Sequence, residues 1–226
     1  MIVRLDSTES TMKDAAALAA KGEPHGTVVV AERQTAGIGR HGHSWHSEAD
    51  GGLYMSIILR LQTPGPTVTM ALGLGVQRAL DDLAGVCPDL RWPNDVMLNN
   101  RKLAGIMVQA ADEALIAGIG VNVNQQSFPN ELLGIATSLR IETGREHSKD
   151  ALMARIIAES LRYVQIGKAG ILRRFEERSS YVRGKAVEVD GAMRGVTAGL
   201  DGDGFLLVQT SSGIEKVIAG GVRTLS

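Results

Sequence analysis

Residues 32–45 read Glu32-Arg33-Gln34-Thr35-Ala36-Gly37-Ile38-Gly39-Arg40-His41-Gly42-His43-Ser44-Trp45, and the rest of the chain is organised around them. Glycines at 37, 39 and 42 leave backbone N–H groups free to approach an anion closely, and Arg40 places a guanidinium fork among them. The stretch also satisfies G-x-G-x-x-G, but a dinucleotide-binding turn must open a helix and be followed about 20 residues on by an acid for the ribose. Here polar, glycine-broken sequence runs to residue 52, a strand follows, and the region around Ile57 is apolar. No Gly-Lys-Ser/Thr follows either, so a Walker A loop is excluded as well. On this loop alone, a glycine hairpin that happens to carry an arginine remains the alternative.

Working outward, residues 27–34 predict a strand feeding the loop, and 53–61 a second strand broken by Pro64-Gly65-Pro66. Val68, Ala71, Leu72, Val76, Ala79, Leu80 and Leu83 recur at helical spacing and predict an amphipathic helix covering one face of a sheet. Alanine-rich residues 12–21 predict another helix, its first turn capped by hydroxyls and carboxylates within 6–11. Short strands are expected at 90–92, 96–98, 103–109 and 115–124, with Asn99-Asn100 turning between the second and third. Helices are expected at 148–166 and 171–181. From Gly184 onward, short β-rich runs separated by Asp190-Gly191, Asp201-Gly202-Asp203-Gly204 and Ser211-Ser212-Gly213 predict a small all-β unit. The expected division is therefore 1–183 and 184–226, with the first part able to stand alone.

Composition narrows the function classes. The 226 residues suffice for a good-sized core plus a small unit, and 44% apolar with 22% charged residues is ordinary for a globular protein. A net charge of −1 argues against a generally basic nucleic-acid surface and leaves only local patches open. One cysteine, Cys87, excludes an intramolecular disulfide and a cysteine-based zinc site. The amino terminus lacks the n- and h-regions of a signal peptide and no apolar run reaches membrane-spanning length, so a cytoplasmic location is expected.

Two further clusters carry chemistry. Arg91-Trp92-Pro93-Asn94-Asp95 stops a strand with a proline and leaves an amide and a carboxylate. Lys102-Leu103-Ala104-Gly105-Ile106 follows, and the intervening hairpin should bring Asp95 and Lys102 to one end of the sheet. A cation and a carboxylate beside a phosphate cradle suit phosphoryl chemistry, although such a pair alone is commonly a surface ion pair. In Gly118-Ile119-Gly120-Val121-Asn122-Val123-Asn124, two glycines interrupt an apolar strand and mark the close approach of a ligand or another backbone.

In this order, together with Asp6-Ser7-Thr8, these clusters resemble the catalytic module of the biotin protein ligases over about residues 5–124. The resemblance implies an α+β fold, a central mixed sheet flanked by helices, followed by an SH3-like β-barrel at 184–226. It implies ATP and biotin as substrates, magnesium as cofactor, and the biotin carboxyl carrier protein of acetyl-CoA or a related carboxylase as the acceptor. By the same resemblance Ser7, Thr8, Gln34 and Gly37 would surround the biotin head. Arg40 and Lys102 would engage the biotin carboxylate and the α-phosphate, while Asn94, Trp45 and Asn122 would serve the nucleotide, Asn122 at the adenine. Asp95 would orient Lys102, a magnesium ion or the incoming lysine. No metal ligands are assigned from the residues.

Ile38, His41 and His43 stand where basic residues are common in the family, and Glu9 replaces a frequent asparagine. With only Ile38 to bury, the loop is expected to gain its order from ligand. Longer members carry a DNA-binding domain ahead of the catalytic motif. Here the motif starts at Asp6, so no DNA partner and no membrane partner are expected, while a homodimer through paired edge strands stays open. The rivals are a lipoate or octanoyl transferase of the same fold, which has no use for the polar head-binding set, and a non-catalytic biotin-binding protein, which has no use for Arg40, Asp95 and Lys102 together.

Overall fold

The computed structural model describes residues 1–39, 42, 44–47, 49, 51–61, 67–218 and 220–225. Seven strands form the main sheet: β1 (Ile2–Thr8), β2 (Val28–Gln34), β3 (Gly52–Leu59), β4 (Asp89–Arg91), β5 (Asp95–Leu98), β6 (Arg101–Ala111) and β7 (Ala114–Asn122). Their order is β1-β2-β3-β7-β6-β5-β4; β1 and β2 run parallel and every other pair is antiparallel. This is the mixed sheet expected.

Both faces are covered. Helix α1 (Thr11–Ala20) lies on one face, where Met12, Ala15 and Ala19 pack with Val29, Ile58 and Ile116. On the other, α2 (Thr67–Ala84) and α4 (Lys149–Tyr163) bury Leu72, Val76, Leu80, Leu152 and Ile156 against Val28, Met55, Ile57 and Ile119. Between α2 and α4 in sequence lies the short α3 (Leu139–Thr143), and α5 (Lys168–Arg178) packs along α2 through Ile171 and Phe175. All eight residues of β3 are buried, which is why the strand reads as a near-continuous apolar run, interrupted by Ser56, rather than an alternating one. Among the described residues no helix is long and apolar enough to cross a membrane.

Three expectations need correction. Residues 2–8 form a parallel edge strand that sequence reading did not assign, although half-buried Val3 and Leu5 alternate with exposed Arg4 and Asp6. Helix α1 is not capped by its own flanking hydroxyls: Ser10 at the N-cap makes no side-chain cap bond, and the Thr11 N–H donates instead to Gln34 Oε1, 2.9 Å away on β2. Ser148 does cap α4, accepting from the Ala151 N–H at 3.2 Å, but the helix ends at Tyr163 rather than 166.

The second sheet comprises β8 (Arg183–Val189), β9 (Met193–Leu200), β10 (Leu206–Thr210), β11 (Gly213–Val217) and β12 (Val222–Thr224), antiparallel in the order β11-β10-β9-β8-β12. Val187, Val189, Leu206, Val208 and Val217 join the same apolar cluster as α2 and the main sheet. The joint has a polar fastening: the Trp92 indole donates to Gly204 O at 2.9 Å, in the β9–β10 turn. Gly204 has φ +91°, a conformation that favours glycine, and a Cβ there would sit tightly, 3.2–3.3 Å from the side-chain ends of Leu172, Thr67 and Met70.

Candidate active site

Strand register builds the site on the α1 face. Tyr54 of β3 pairs with Gly120 of β7, Gly120 with Gly105 of β6, and Gly105 with Asp95 of β5, giving one row across four strands. The two glycines at its centre leave bare backbone. Trp45 lies on it: a Cβ on Gly120 would fall 2.5 Å from Trp45 Cε2, and one on Gly105 would fall 2.8 Å from Cζ3. The indole N–H, buried against this floor, has no acceptor among the described residues. Met12 of α1 lies in the same way over Gly118, where a Cβ would come 2.8 Å from its sulfur.

Lys102 reaches this face because of a bulge. The β5–β6 register passes from Val96↔Ala104 to Met97↔Lys102, which leaves Leu103 as an extra residue. Leu103 and Ala104 both point into the large core, and the slip returns Lys102 to the side of Gly105. Re-aiming a side chain is what bulges beside functional sites do. Lys102 Nζ then sits 2.6 Å from Asp95 Oδ1 and 5.4 Å from the centre of the Trp45 ring. Asp95 Oδ2 accepts from Arg91 Nη2 at 2.6 Å. Burial by itself raises the Asp95 carboxyl, but the Lys102 ammonium and the Arg91 guanidinium outweigh it and hold the group below its ordinary range, so it is a carboxylate.

The opposite end is polar but uncharged. Gln34 Oε1 accepts from the Thr11 N–H and from Thr11 Oγ1 at 3.1 Å, and its Nε2 donates to Ser47 Oγ at 3.0 Å. Thr11 Oγ1 in turn lies 2.8 Å from Ser56 Oγ. The loop closes over this end: the Trp45 N–H donates to Gly37 O at 2.9 Å, Ile38 bridges Ser44, and a Cβ on Gly37 would lie 2.8 Å from Ser47 Oγ. The cavity between the two ends keeps about 50 Å³ of free space, room for a few waters, because the indole fills its middle.

The structure thus brings Gln34, Trp45, Asn94 and Lys102 around one cavity, with Asp95 behind the lysine and Gly37 under the loop. Ser7 and Thr8 are not among its lining residues: Ser7 is exposed on β1, 3.5 Å from Arg33 Nη2, and Thr8 Oγ1 donates to Asp14 at 2.5 Å. Asn122 lies buried beside the base of Lys102, with its amide nitrogen on Thr137 O at 3.0 Å. Arg40, His41 and His43 lie outside the described residues. Sequence reasoning missed Ser10, Thr11, Met12, Tyr54 and Met107, all of which line the cavity. The signal was the glycine spacing, since two glycines in register on neighbouring strands identify whatever lies over them.

Among the described residues no three His, Cys, Asp or Glu side chains converge on a point that could hold a metal. Asp95, which pairs with the cavity's lysine, has one oxygen on Lys102 and the other on Arg91. These residues do not form a cage for magnesium.

A family model described as the Biotin/lipoate A/B protein ligase family matches residues 3–126. The bifunctional ligase/repressor BirA of Bacillus subtilis is 35% identical over 237 residues, covering 96% of this chain and 72% of that protein. The biotin–[acetyl-CoA-carboxylase] ligase of Mycobacterium tuberculosis is 32% identical over 229 residues, covering 95% of this chain and 85% of that one. Among solved structures, the biotin protein ligase from Aquifex aeolicus in complex with biotin and ATP aligns with a TM-score of 0.89 at 28% identity over 99% of both chains. With the order of the motifs, the sheet topology and the matched span all in agreement, the chain belongs to the biotin/lipoate A/B protein ligase family.

Proposed function

We propose that this protein is a biotin protein ligase, forming biotinyl-5′-AMP from biotin and ATP and transferring biotin to a lysine of the carrier domain of a biotin-dependent carboxylase. The observation that carries this reading is the slot's two-ended character, with an amide and hydroxyls at one end, a glycine floor under the Trp45 indole in the middle and a pinned ammonium at the other. Gln34 on β2 and Lys102 on β6 are three strand steps apart, roughly 14 Å between backbones. That distance suits a compact bicyclic head on a short chain ending in a carboxylate. The polar end is suited to a ureido ring, which both donates and accepts.

In the first half-reaction a carboxylate oxygen of biotin forms a bond to the α-phosphorus while the α–β bridging bond breaks, releasing pyrophosphate. Two anions must meet, and Lys102 is placed to turn from Asp95 toward the phosphoryl oxygens, with Arg40 as its proposed partner from the loop. Arg91 keeps the Asp95 charge compensated while the lysine is turned away. In the second half-reaction a neutral carrier amine forms a bond to the acyl carbon, AMP leaves and the nitrogen sheds a proton. The Trp45 ring and the glycine floor are placed to exclude water from the anhydride meanwhile. Asn94, whose side chain lines the cavity beside Lys102, is the amide proposed for the nucleotide. Magnesium is expected to arrive with the triphosphate, held chiefly by its oxygens.

Incubation with ATP, magnesium and either biotin or lipoate, followed by pyrophosphate measurement and mass analysis of an added carrier domain, tests the reading. Biotin-dependent release and a biotinylated carrier are expected. Lipoate-dependent release, or biotin binding with no release, would overturn it.

A further inference from the structure

We propose that Thr11 is a positioning residue that holds the side-chain amide of Gln34 in one orientation at the polar end of the slot; the consequence for biotin rests on the ligase reading. A glutamine amide has two ways to lie, and they present donor and acceptor in opposite order to a ureido ring. Thr11 removes that choice. It is the first residue of α1, and its backbone N–H, which has no acceptor within the helix, donates to Gln34 Oε1 at 2.9 Å. A backbone N–H only donates, so the atom it meets is the oxygen. The Thr11 hydroxyl donates to the same oxygen at 3.1 Å. Turning the amide over would set its NH2 against the Thr11 N–H and strand that donor in a residue only 2% exposed. Ser10 offers no side-chain cap of its own, which leaves this end of α1 to Gln34.

The bonds on either side all run one way. Thr11 spends its only hydroxyl proton on Gln34, so Ser56 Oγ, 2.8 Å away and fully buried on β3, donates to Thr11 Oγ1. On the far side Gln34 Nε2 donates to Ser47 Oγ at 3.0 Å, and Ser47 Oγ donates to Trp45 O at 3.0 Å. The chain therefore runs from Ser56 through Thr11, Gln34 and Ser47 to Trp45. The hydroxyls of Thr11 and Ser47 each accept from one neighbour and donate to the next, the pattern in which hydrogen bonds strengthen one another. Gly37 leaves room for it, since a Cβ there would come 3.0 Å from Gln34 Nε2 and 2.8 Å from Ser47 Oγ. Gln34 lines the cavity, so the orientation that α1 fixes from behind is the one a ligand meets.

Thr11 occupies the helical position that accepts proline most readily, and Ser10 before it is already extended, at φ −162° and ψ 127°, as a residue preceding proline prefers. Thr11→Pro therefore deletes the N–H, sets a ring carbon against Gln34 in its place, and spares the helix. Thr11→Val deletes only the hydroxyl, and Thr11→Ser keeps both donors. Biotin binding is titrated calorimetrically, and biotin-dependent pyrophosphate exchange gives KM and kcat. Thermal unfolding is recorded, and exchange of the Thr11 amide hydrogen is followed without ligand in wild type and in Gln34→Ala. In Thr11→Pro, Kd and KM for biotin should rise about 10- to 100-fold while kcat stays within about 3-fold and the melting temperature holds, because the head lies away from the reacting carboxylate. Thr11→Val should weaken binding about 3- to 10-fold, and Thr11→Ser should restore it. The Thr11 amide should be protected in wild type and exchange freely in Gln34→Ala. A folded Thr11→Pro with wild-type biotin affinity, a loss confined to kcat, or a Thr11 amide that exchanges equally fast in wild type and Gln34→Ala would overturn the proposal. If Thr11→Pro does not fold, Thr11→Val and the amide exchange decide. If wild type binds no biotin, the ligase reading fails, and the exchange arm still decides whether Thr11 holds Gln34.

Discussion

Gly120→Ala adds one methyl group at the centre of the slot. Its carbon would lie 2.5 Å from Trp45 Cε2, whereas ordinary contact begins at 3.4 Å, so the ring must rise by 3.4 − 2.5 = 0.9 Å or leave. Strain in β7 is not the issue, because Gly120 is not a left-handed residue. Lifting a ring by this much forfeits roughly a quarter to a half of its dispersion contact with the floor. Overpacking of this kind costs about 1–3 kcal/mol in stability, toward the low end here because the indole is only half-buried. For a ligand lying on the same floor, a misplaced methyl should weaken binding about 10- to 200-fold. Gly118→Ala is the internal comparison: its methyl meets Met12 Sδ at 2.8 Å, the end of a flexible side chain that can swing aside, so a smaller loss is expected. Calorimetric titration with biotin, alongside thermal unfolding, measures both effects. Wild-type biotin affinity and an unchanged melting temperature in Gly120→Ala would refute the seating of Trp45 on this floor and the use of the floor by ligand.

Lys102→Ala should lower adenylate formation ~10²- to 10³-fold, read as biotin-dependent pyrophosphate exchange. It should also cost about 1 kcal/mol in stability, since Asp95 keeps only Arg91, and unaltered exchange would remove the lysine from the mechanism. In the second sheet, burial raises the Asp201 carboxyl, but bonds from Lys216 and from the Phe205 and Asp203 N–H groups outweigh this and bring it down to about 2. A depressed carboxylate stabilises the fold above its unfolded value of 3.8 and loses that contribution as pH falls toward 2, so Asp201→Asn should destabilise by up to about 2 kcal/mol at pH 7 and by little at pH 2. Equal effects at both pH values would refute the assignment. Removing residues from 184 onward, which sequence reading expected to leave an intact core, should instead expose the apolar cluster shared by the two sheets and deprive the Trp92 N–H of Gly204 O. A truncated chain with an unchanged cooperative melt would show that the sharing is unimportant.

What was legible in the sequence was legible for local reasons. The β3 run, the α2 stripe and the Asn99-Asn100 turn announce themselves through patterning and turn chemistry, and both turn asparagines do take positive φ, at 50° and 61°. Asp95 and Lys102 were correctly expected at one end of the sheet, because a short hairpin joins them, but the shared face that lets them meet comes from the bulge. Strand β1 was missed because its alternation rests on two residues only, Val3 and Leu5, half-buried on the α1 side. The capping of α1 was missed because the cap comes from Gln34, 23 residues away from Thr11. The face that Lys102 presents carried no local mark at all: it follows from the bulge at Leu103, a matter of register between strands.

That bulge places the ammonium by a count of residues. Without Arg101 the hairpin would pair in plain alternation, with Lys102 opposite Leu98 and turned into the apolar interior, whereas without Leu103 the lysine would keep its face. Deletion of Arg101 should therefore be far more damaging than point substitutions of neighbouring surface residues. Sequence comparisons across this hairpin are dependable only where they preserve its length. A designer transplanting the site to another antiparallel scaffold would have to copy the irregularity along with the side chains.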